Sequence, residues 1–477
     1  MKEAISNIKN KKAYITIAAA GVGLGISGVL IQNWGGISSS GNLLFSLLPL
    51  MLLLIPAALA LAGSIFADME KAIAILAFYS VIDYIFRQFV KINFLSGYWD
   101  ELLLMACFLI WLTRWAFIAG TQKYIPTPLD GPIIIFFGIG ILLLILRSPE
   151  LSVAIEGFRA VFEYIIWFFA ANVLLKTSKG ARRFYTLLIL TGALVAFIGL
   201  IQYAAGVENP SNWADQAEKG VRRVFSIIGS PNILGSFMTL LTPMAIALAL
   251  SKTNLFKKLF FTGIAAAMGL CLLLTFSRGA WIGFAAAIII FIFMKDKRFI
   301  FPIIIVSLLL IIFVPSIQSR IAYMLSSDYI ASSMRAGRLA RWPAGLKMWF
   351  ENFWFGVGLG RFGGAVAQNN KISGNFYMDN YYLKTAVEMG IVGISGFIIL
   401  ILSTIKWSFR AIKKAADTTS RLMLQGAFAG MCGVIIHNFF ENVFEVPYML
   451  AYFWLIAGFI MFTARQQPSS DPPLTEH

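Results

Sequence analysis

The sequence predicts an all-α polytopic membrane protein, and three observations carry that prediction. Of its 477 residues, 59% are hydrophobic and only 13% charged, and the mean hydropathy is +0.78. A soluble globular chain is nearer a quarter charged. The apolar runs are continuous over helix length and do not alternate with period two, so helices are implied and a barrel is not. Basic residues collect in every second connection between the runs, which is the signature of the positive-inside rule.

In chain order the apolar runs lie at 13–31, 43–66, 72–90, 102–118, 132–146, 153–175, 184–205, 231–250, 259–276, 280–294, 299–314, 380–405, 422–440 and 446–463. These make about 12–14 spans of bilayer length. The first follows Lys11 and Lys12, and no small-x-small cleavage pattern closes it near Gly35–Ser38, so it reads as an uncleaved helix. The basic clusters Arg114/Lys123, Lys176/Lys179/Arg182/Arg183, Lys252/Lys257/Lys258, Lys295/Lys297/Arg298 and Lys406/Arg410/Lys413/Lys414/Arg421 mark the cytoplasmic connections. Both termini are then expected in the cytoplasm. The net charge of +16 is thereby an orientation signal, and nucleic acid is not called for. Cys107, Cys271 and Cys432 fall inside apolar runs and read as small core residues. Four regions result: membrane helices over 1–314, an extracytoplasmic loop over 315–379, membrane helices over 380–464, and a disordered tail over 465–477.

The loop is the one long interruption, roughly sixty residues, and loops of that length are functional or disordered. It carries Arg320, Arg335, Arg338, Arg341 and Arg361, with Trp342, Trp349, Phe350, Trp354, Phe355 and Phe362 to bury, so a partly helical fold is expected. Its arginines, together with Lys219/Arg222/Arg223 and Arg278, lie on the side that the orientation rule disfavours for basic residues.

Candidate residues follow from that placement. Arg222 and Arg223 precede Ser230-Pro231-Asn232, where a helix opens; free N–H groups and a guanidinium fork suit a diphosphate, or equally the arginines pair with Asp215 or Glu218. Arg278 interrupts a long apolar stretch, as a functional charge or as a snorkelling side chain in a hairpin turned by Gly279. Arg335, Arg338 and Arg341 are spaced for one helical face, and Pro343 restricts Trp342. The glycine run Gly356–Gly364 lacks the strand and lysine-serine of a nucleotide loop. Asp379 stands where the loop re-enters the membrane, as a general base toward a hydroxyl, as the N-cap of the next helix, or both; Glu388 follows about two and a half turns on. Asp83 pairs with Arg87, and Glu156, Arg159 and Glu163 pair among themselves, with Arg159 near enough to the outer side to reach a site there. His437, Glu441 and Glu445 have a weak metal spacing, and a capped, partly solvated helix end explains them better.

Taken in order, Arg222-Arg223, Ser230-Pro231-Asn232, Phe276-Ser277-Arg278-Gly279-Ala280-Trp281, Arg338 to Trp342, Gly356-Val357-Gly358-Leu359-Gly360, Asp379-Asn380-Tyr381-Tyr382-Leu383 and Glu388-Met389-Gly390-Ile391-Val392-Gly393 resemble the bacterial O-antigen ligase and polymerase superfamily. The resemblance runs from about Gly220 to Gly393. It implies a GT-C-like helical fold in the bacterial cytoplasmic (inner) membrane, with the active site on the extracytoplasmic side. It implies metal-independent glycosyl transfer without cofactor, from an undecaprenyl-diphosphate-linked oligosaccharide to a sugar hydroxyl of an acceptor glycan, with inversion. Arg278, Arg338 and Asp379 would be catalytic; Arg222, Arg223, Arg341 and Arg159 would hold the donor diphosphate; Asn380, Glu388 and Trp342 would support them. A chain-length regulator and a flippase are implied as partners beside the lipid bilayer. Ligases of the family carry His before the Asn where this chain has Asp379, which favours a polymerase of a surface polysaccharide, as in teichuronic-acid-type polymerases, over an O-antigen ligase acting on a lipid core. A transporter or flippase of lipid-linked glycan is the competing class; the chain shows no internal repeat and few acidic residues deep in its spans for ion coupling.

Overall fold

Helices account for nearly all the secondary structure in the computed structural model, which describes residues 68–89, 93–117, 124–209, 222–299 and 326–466 with a few isolated positions besides. Beyond one isolated bridge between Gly363 and Tyr377, no strand occurs among the described residues. The helices run α1 (Glu70–Ala77), α2 (Tyr79–Phe89), α3 (Asn93–Phe117), α4 (Asp130–Leu146), α5 (Leu151–Phe162), α6 (Ile166–Leu174), α7 (Ser178–Ala204), α8 (Pro231–Leu250), α9 (Leu255–Leu274) and α10 (Arg278–Lys295). After the long loop's start come α11 (Ser327–Ala336), α12 (Arg338–Glu351), α13 (Ala365–Asn369), α14 (Tyr381–Lys414), α15 (Thr418–His437) and α16 (Pro447–Arg465). Seven of these, α7 to α10 and α14 to α16, are long and apolar enough to cross a membrane. The chain is an all-α polytopic membrane protein. The expected spans at 13–31, 43–66 and 299–314, and the tail beyond 466, lie outside the continuously described residues.

Local chemistry sets where the long helices start. Thr177, Ser230, Asn254, Asn380 and Asp417 each accept a hydrogen bond from the free N–H three residues on, capping α7, α8, α9, α14 and α15. Pro231 and Pro447 stand in the first turns of α8 and α16, where no N–H is missed. Small residues then let backbones close: a Cβ on Gly426 would lie 2.6 Å from Ala247 Cβ, and one on Gly433 2.6 Å from Thr239 Cγ2. These contacts seat α15 against α8. The apolar lengths of α8 and α16 are almost wholly buried, whereas α9 and α10 expose most of theirs. The core is therefore α8, α15 and α16, with α9 and α10 outside it.

Two expected spans are broken instead of continuous. Over 72–90 the chain makes α1 and α2, and the buried Tyr452 hydroxyl stands in the gap. It accepts from Ser80 N–H (2.9 Å) and donates to the Ala77 carbonyl (3.0 Å), replacing the helix bonds lost there. Over 153–175, a 3-10 turn at Glu163–Ile165 divides α5 from α6. Asp83 pairs with Arg87 at 2.8 Å as expected and also accepts from Trp99.

The connections sort into two ends. Arg182 at the start of α7 lies 3.7 Å from Asp417 between α14 and α15, and this end gathers the basic clusters. The opposite end gathers the approach to α8, the α9–α10 turn, the loop helices α11 to α13 and the residues after α15.

Candidate active site

At that opposite end the loop and the membrane helices meet on a carboxylate. Asp379 Oδ2 accepts from Arg338 Nε at 2.6 Å, and Oδ1 accepts from Trp342 Nε1 at 3.2 Å. Arg338 also donates through Nη2 to the Phe440 carbonyl. The pair is partly wet, the two side chains being 28% and 13% exposed. Asp379 is not the cap of the following helix: Asn380 takes that role, accepting from Leu383 N–H at 3.0 Å. Capping is thus separated from whatever chemistry Asp379 performs.

Two cavities open near this pair, one lined by Arg338 itself and one by Arg341 and Tyr377, close to the pair in the chain. The first, about 430 Å³, is lined by Arg278, Arg338, Tyr329, Trp342, Ile282, Leu346 and Phe440 among others. Arg278 is the first residue of α10, so the start of that helix lies at the cavity wall with it. Its Cζ stands 4.9 Å over the Tyr329 ring. The turn before it is made by Phe276, at φ 50°, and not by Gly279. Gly279 serves close approach instead, since a Cβ there would lie 2.8 Å from Phe440 Cβ and 2.9 Å from the His437 ring.

The second cavity, about 860 Å³, contains Arg223, Asn232, Arg341, Tyr377, Glu441 and Glu445. Arg223 donates to the Thr275 carbonyl and to Asn232 Oδ1, both at 2.8 Å, and Asn232 donates to Glu441. Tyr377 donates its hydroxyl to the same carboxylate. Burial and the Glu441 charge hold the Tyr377 phenol well above its ordinary pKa, so it stays a donor.

The remaining expectations divide. Arg335, Arg338 and Arg341 do not share a helix, because Gly337 ends α11 and begins α12. Arg341 faces the second cavity and Arg338 the first. Arg222 is exposed beside Gly206 and lines neither cavity. Arg159 lies in a separate cluster, bonded to Glu101 and, at 3.0 Å, to Glu163, while Glu156 accepts from Asn370. Asp100, Glu101 and Glu163 come close enough to hold an ion, but Arg159 already neutralises two of them. His437 is buried and hydrogen-bonded to Ser236; α15 ends there, so Glu441 and Glu445 do not continue its helical spacing.

Glu388 lies beneath the site, buried against Lys384 at 2.7 Å, and its Oε1 accepts from Phe362 N–H at 3.1 Å. Next to it α14 breaks at Gly390 (φ 62°, ψ −167°), which frees carbonyls that a continuous helix would use. The glycine run takes them: Val357 N–H donates to Val387 O (2.9 Å) and Gly358 N–H to Glu388 O (3.0 Å). Gly356 and Gly358, at φ 72° and 106°, give the run the left-handed turns this docking needs. The two glycine-bearing motifs are one joint between loop and membrane helix.

Tyr329, Phe440 and the role of Glu441 were not legible beforehand. In sequence Tyr329 is an ordinary loop aromatic and Phe440 the last residue of an apolar run, and Glu441 gains its meaning only from Asn232 and Tyr377, distant in the chain.

A family model described as O-Antigen ligase matches residues 263–398. The match supports the O-antigen ligase/polymerase superfamily and a function of that type in polysaccharide assembly. It spans Arg278, Arg338, Arg341, Trp342, Asp379, Asn380 and Glu388, and leaves Arg159, Arg222, Arg223 and Glu441 outside. No curated protein matches the chain.

Proposed function

We propose that the protein is a polymerase of a cell-surface polysaccharide, working on the extracytoplasmic face of the bacterial cytoplasmic membrane. It transfers glycan from an undecaprenyl diphosphate to an acceptor sugar hydroxyl. One observation carries the reading: Arg278 and Arg338 line a single cavity that is otherwise mostly apolar, with the Asp379 carboxylate bonded to Arg338 at its edge. Apolar walls suit a prenyl chain, and two guanidinium groups with a helix N-terminus suit the diphosphate it carries.

In the reaction, the acceptor hydroxyl oxygen bonds to the anomeric carbon as the bond from that carbon to the diphosphate oxygen breaks. Its proton passes to Asp379, and the electron pair leaves with the diphosphate. Negative charge grows on the leaving group in the transition state, where Arg278 and Arg338 stabilise it without a metal ion. Arg338 has a double part: besides facing the leaving group, it holds the Asp379 carboxylate in position through its Nε bond. Attack opposite the leaving group inverts the anomeric centre.

The test is in vitro transfer with purified protein, a lipid-diphosphate oligosaccharide and no nucleotide sugar, with and without chelator. A ladder of repeat multiples, unchanged by chelator, is the expected result. One glycan block on a different lipid would make it a ligase. Movement of the lipid across vesicles without transfer would make it a transporter.

A further inference from the structure

We infer that the second cavity is the acceptor subsite of this transferase and that it selects an acceptor sugar bearing an anionic group, through Arg341. The inference rests on the glycosyl-transfer reading above.

Its first ground is the chemistry of the lining. Where the first cavity is apolar apart from its arginines, the second is lined by Ser230, Asn209, Asn232, Gln368, Asn442 and Tyr377, several of them bonded to the carboxylates and to Arg223. A wall of neutral polar groups held in place by one another suits a hydroxyl-rich ligand and not a prenyl chain.

Its second ground is charge. The two carboxylates in the cavity are already engaged within the protein. Glu441 accepts from Asn232, from Tyr377 and from Asn442 N–H. Glu445 accepts from Ala365 N–H at 2.8 Å and from the Asn442 amide, with Lys384 4.0 Å away. Arg341, half-buried on the same wall, forms no ion pair among the described residues. A guanidinium facing a polar cavity without a carboxylate partner is matched by a ligand anion, and its planar fork fits a sugar carboxylate at two points.

Its third ground is position. Arg341 lies three residues after Arg338 on α12, so one helix presents Arg338 to the donor cavity and Arg341 to the polar one. Neighbours at that spacing have Cβ atoms about 5–6 Å apart. Arg338, bonded to Asp379, lines the first cavity, and Tyr377, two residues before Asp379, lines the second. An acceptor sugar held by Arg341 on one side can bring a hydroxyl to the base that faces the donor on the other.

The experiment uses the full-length protein in detergent, lipid-linked repeat units extracted from producing cells as donor, and two soluble acceptors. These are oligosaccharides cut from the polymer and the same oligosaccharides after carboxyl reduction. Arg341→Gln is expected to raise KM for the acidic acceptor about tenfold or more while donor KM stays unchanged. Wild type should use the reduced acceptor about as poorly as the variant uses the acidic one, and Arg341→Lys should recover only part. A polymer without anionic sugars, equal use of both acceptors, or a rise in donor KM with unchanged acceptor KM would each overturn the assignment; the last would return Arg341 to the diphosphate. If wild type transfers nothing, the transfer reading fails by itself. Calorimetric binding of the acidic oligosaccharide then still decides: binding lost in Arg341→Gln supports the subsite, and binding unchanged overturns it.

Discussion

Arg338 Nε lies 2.6 Å from Asp379 Oδ2, a contact that closes across 41 positions and joins the first residue of α12 to the residue just before the α14 cap. In the proposed reaction Arg338 is a cation for the leaving group, and charge stabilisation of that kind is the largest single contribution to such a step. Arg338→Ala is expected to lower transfer by about 10²–10³-fold. Arg338→Lys recovers little, since a point charge does not replace the fork that holds both Asp379 and the Phe440 carbonyl. Rates from the in vitro ladder decide it, with size-exclusion profiles to show that the variants remain folded.

Asp379 and its neighbour can be separated. Asp379→Asn keeps the Asn380 cap and the size of the side chain, so stability holds while transfer falls by about 10²-fold or more. Asn380→Ala removes the acceptor for Leu383 N–H and is expected to destabilise by about 1 kcal/mol. Thermal unfolding and transfer measured on both variants check this. Transfer at the wild-type rate in Asp379→Asn would remove Asp379 from the chemistry.

Much of this was legible in the sequence, and the gaps have physical causes. Hydropathy gave the helical class, and Ser230-Pro231 gave the start of α8, because capping is local. The breaks at Phe78 and Glu163 were not readable from composition, since the first is stabilised by Tyr452 from the far end of the chain. Spacing alone put three arginines on one face, but Gly337 ends one helix and starts the next. Arg338 and Arg278 could be nominated as charges set against the orientation rule, and Asp379 by its place where the loop re-enters the membrane. That Arg278 and Arg338 share one cavity while Arg341 lines another depends on folding across the loop, which local patterns do not encode.

Lys384 supports the site from below. Its side chain is 4% exposed and that of Glu388 1% exposed, with Glu445 also within 4.0 Å. Lys384→Met leaves a buried carboxylate without its cation, for which about 3–5 kcal/mol of destabilisation is expected. Replacing both partners, in Lys384→Met with Glu388→Gln, removes the uncompensated charge and should recover part of that loss. Unfolding midpoints of the two single variants and the double variant in one detergent measure the coupling. A double variant as unstable as the sum of the single variants would show that the pair is not coupled.

Gly390 tests the joint between loop and membrane helix. Its φ of 62° with ψ of −167° is a conformation that side chains other than glycine rarely adopt, and a Cβ there would collide with the backbone of Trp354 and Phe355. Strain of this kind amounts to about 1–3 kcal/mol before the collision is counted. Gly390→Ala is therefore expected to displace the glycine run, breaking the bonds from Val357 to Val387 and from Gly358 to Glu388. The effect should stay local, because α8, α15 and α16 form the core without this segment. Hydrogen exchange resolves it: amides of 353–364 should lose protection in the variant while those of α8 and α15 keep theirs. Transfer should fall with them, since α12 and Arg338 hang on the same loop. Unchanged protection over 353–364 would mean that the glycine run is held by its other contacts and that Gly390 is dispensable.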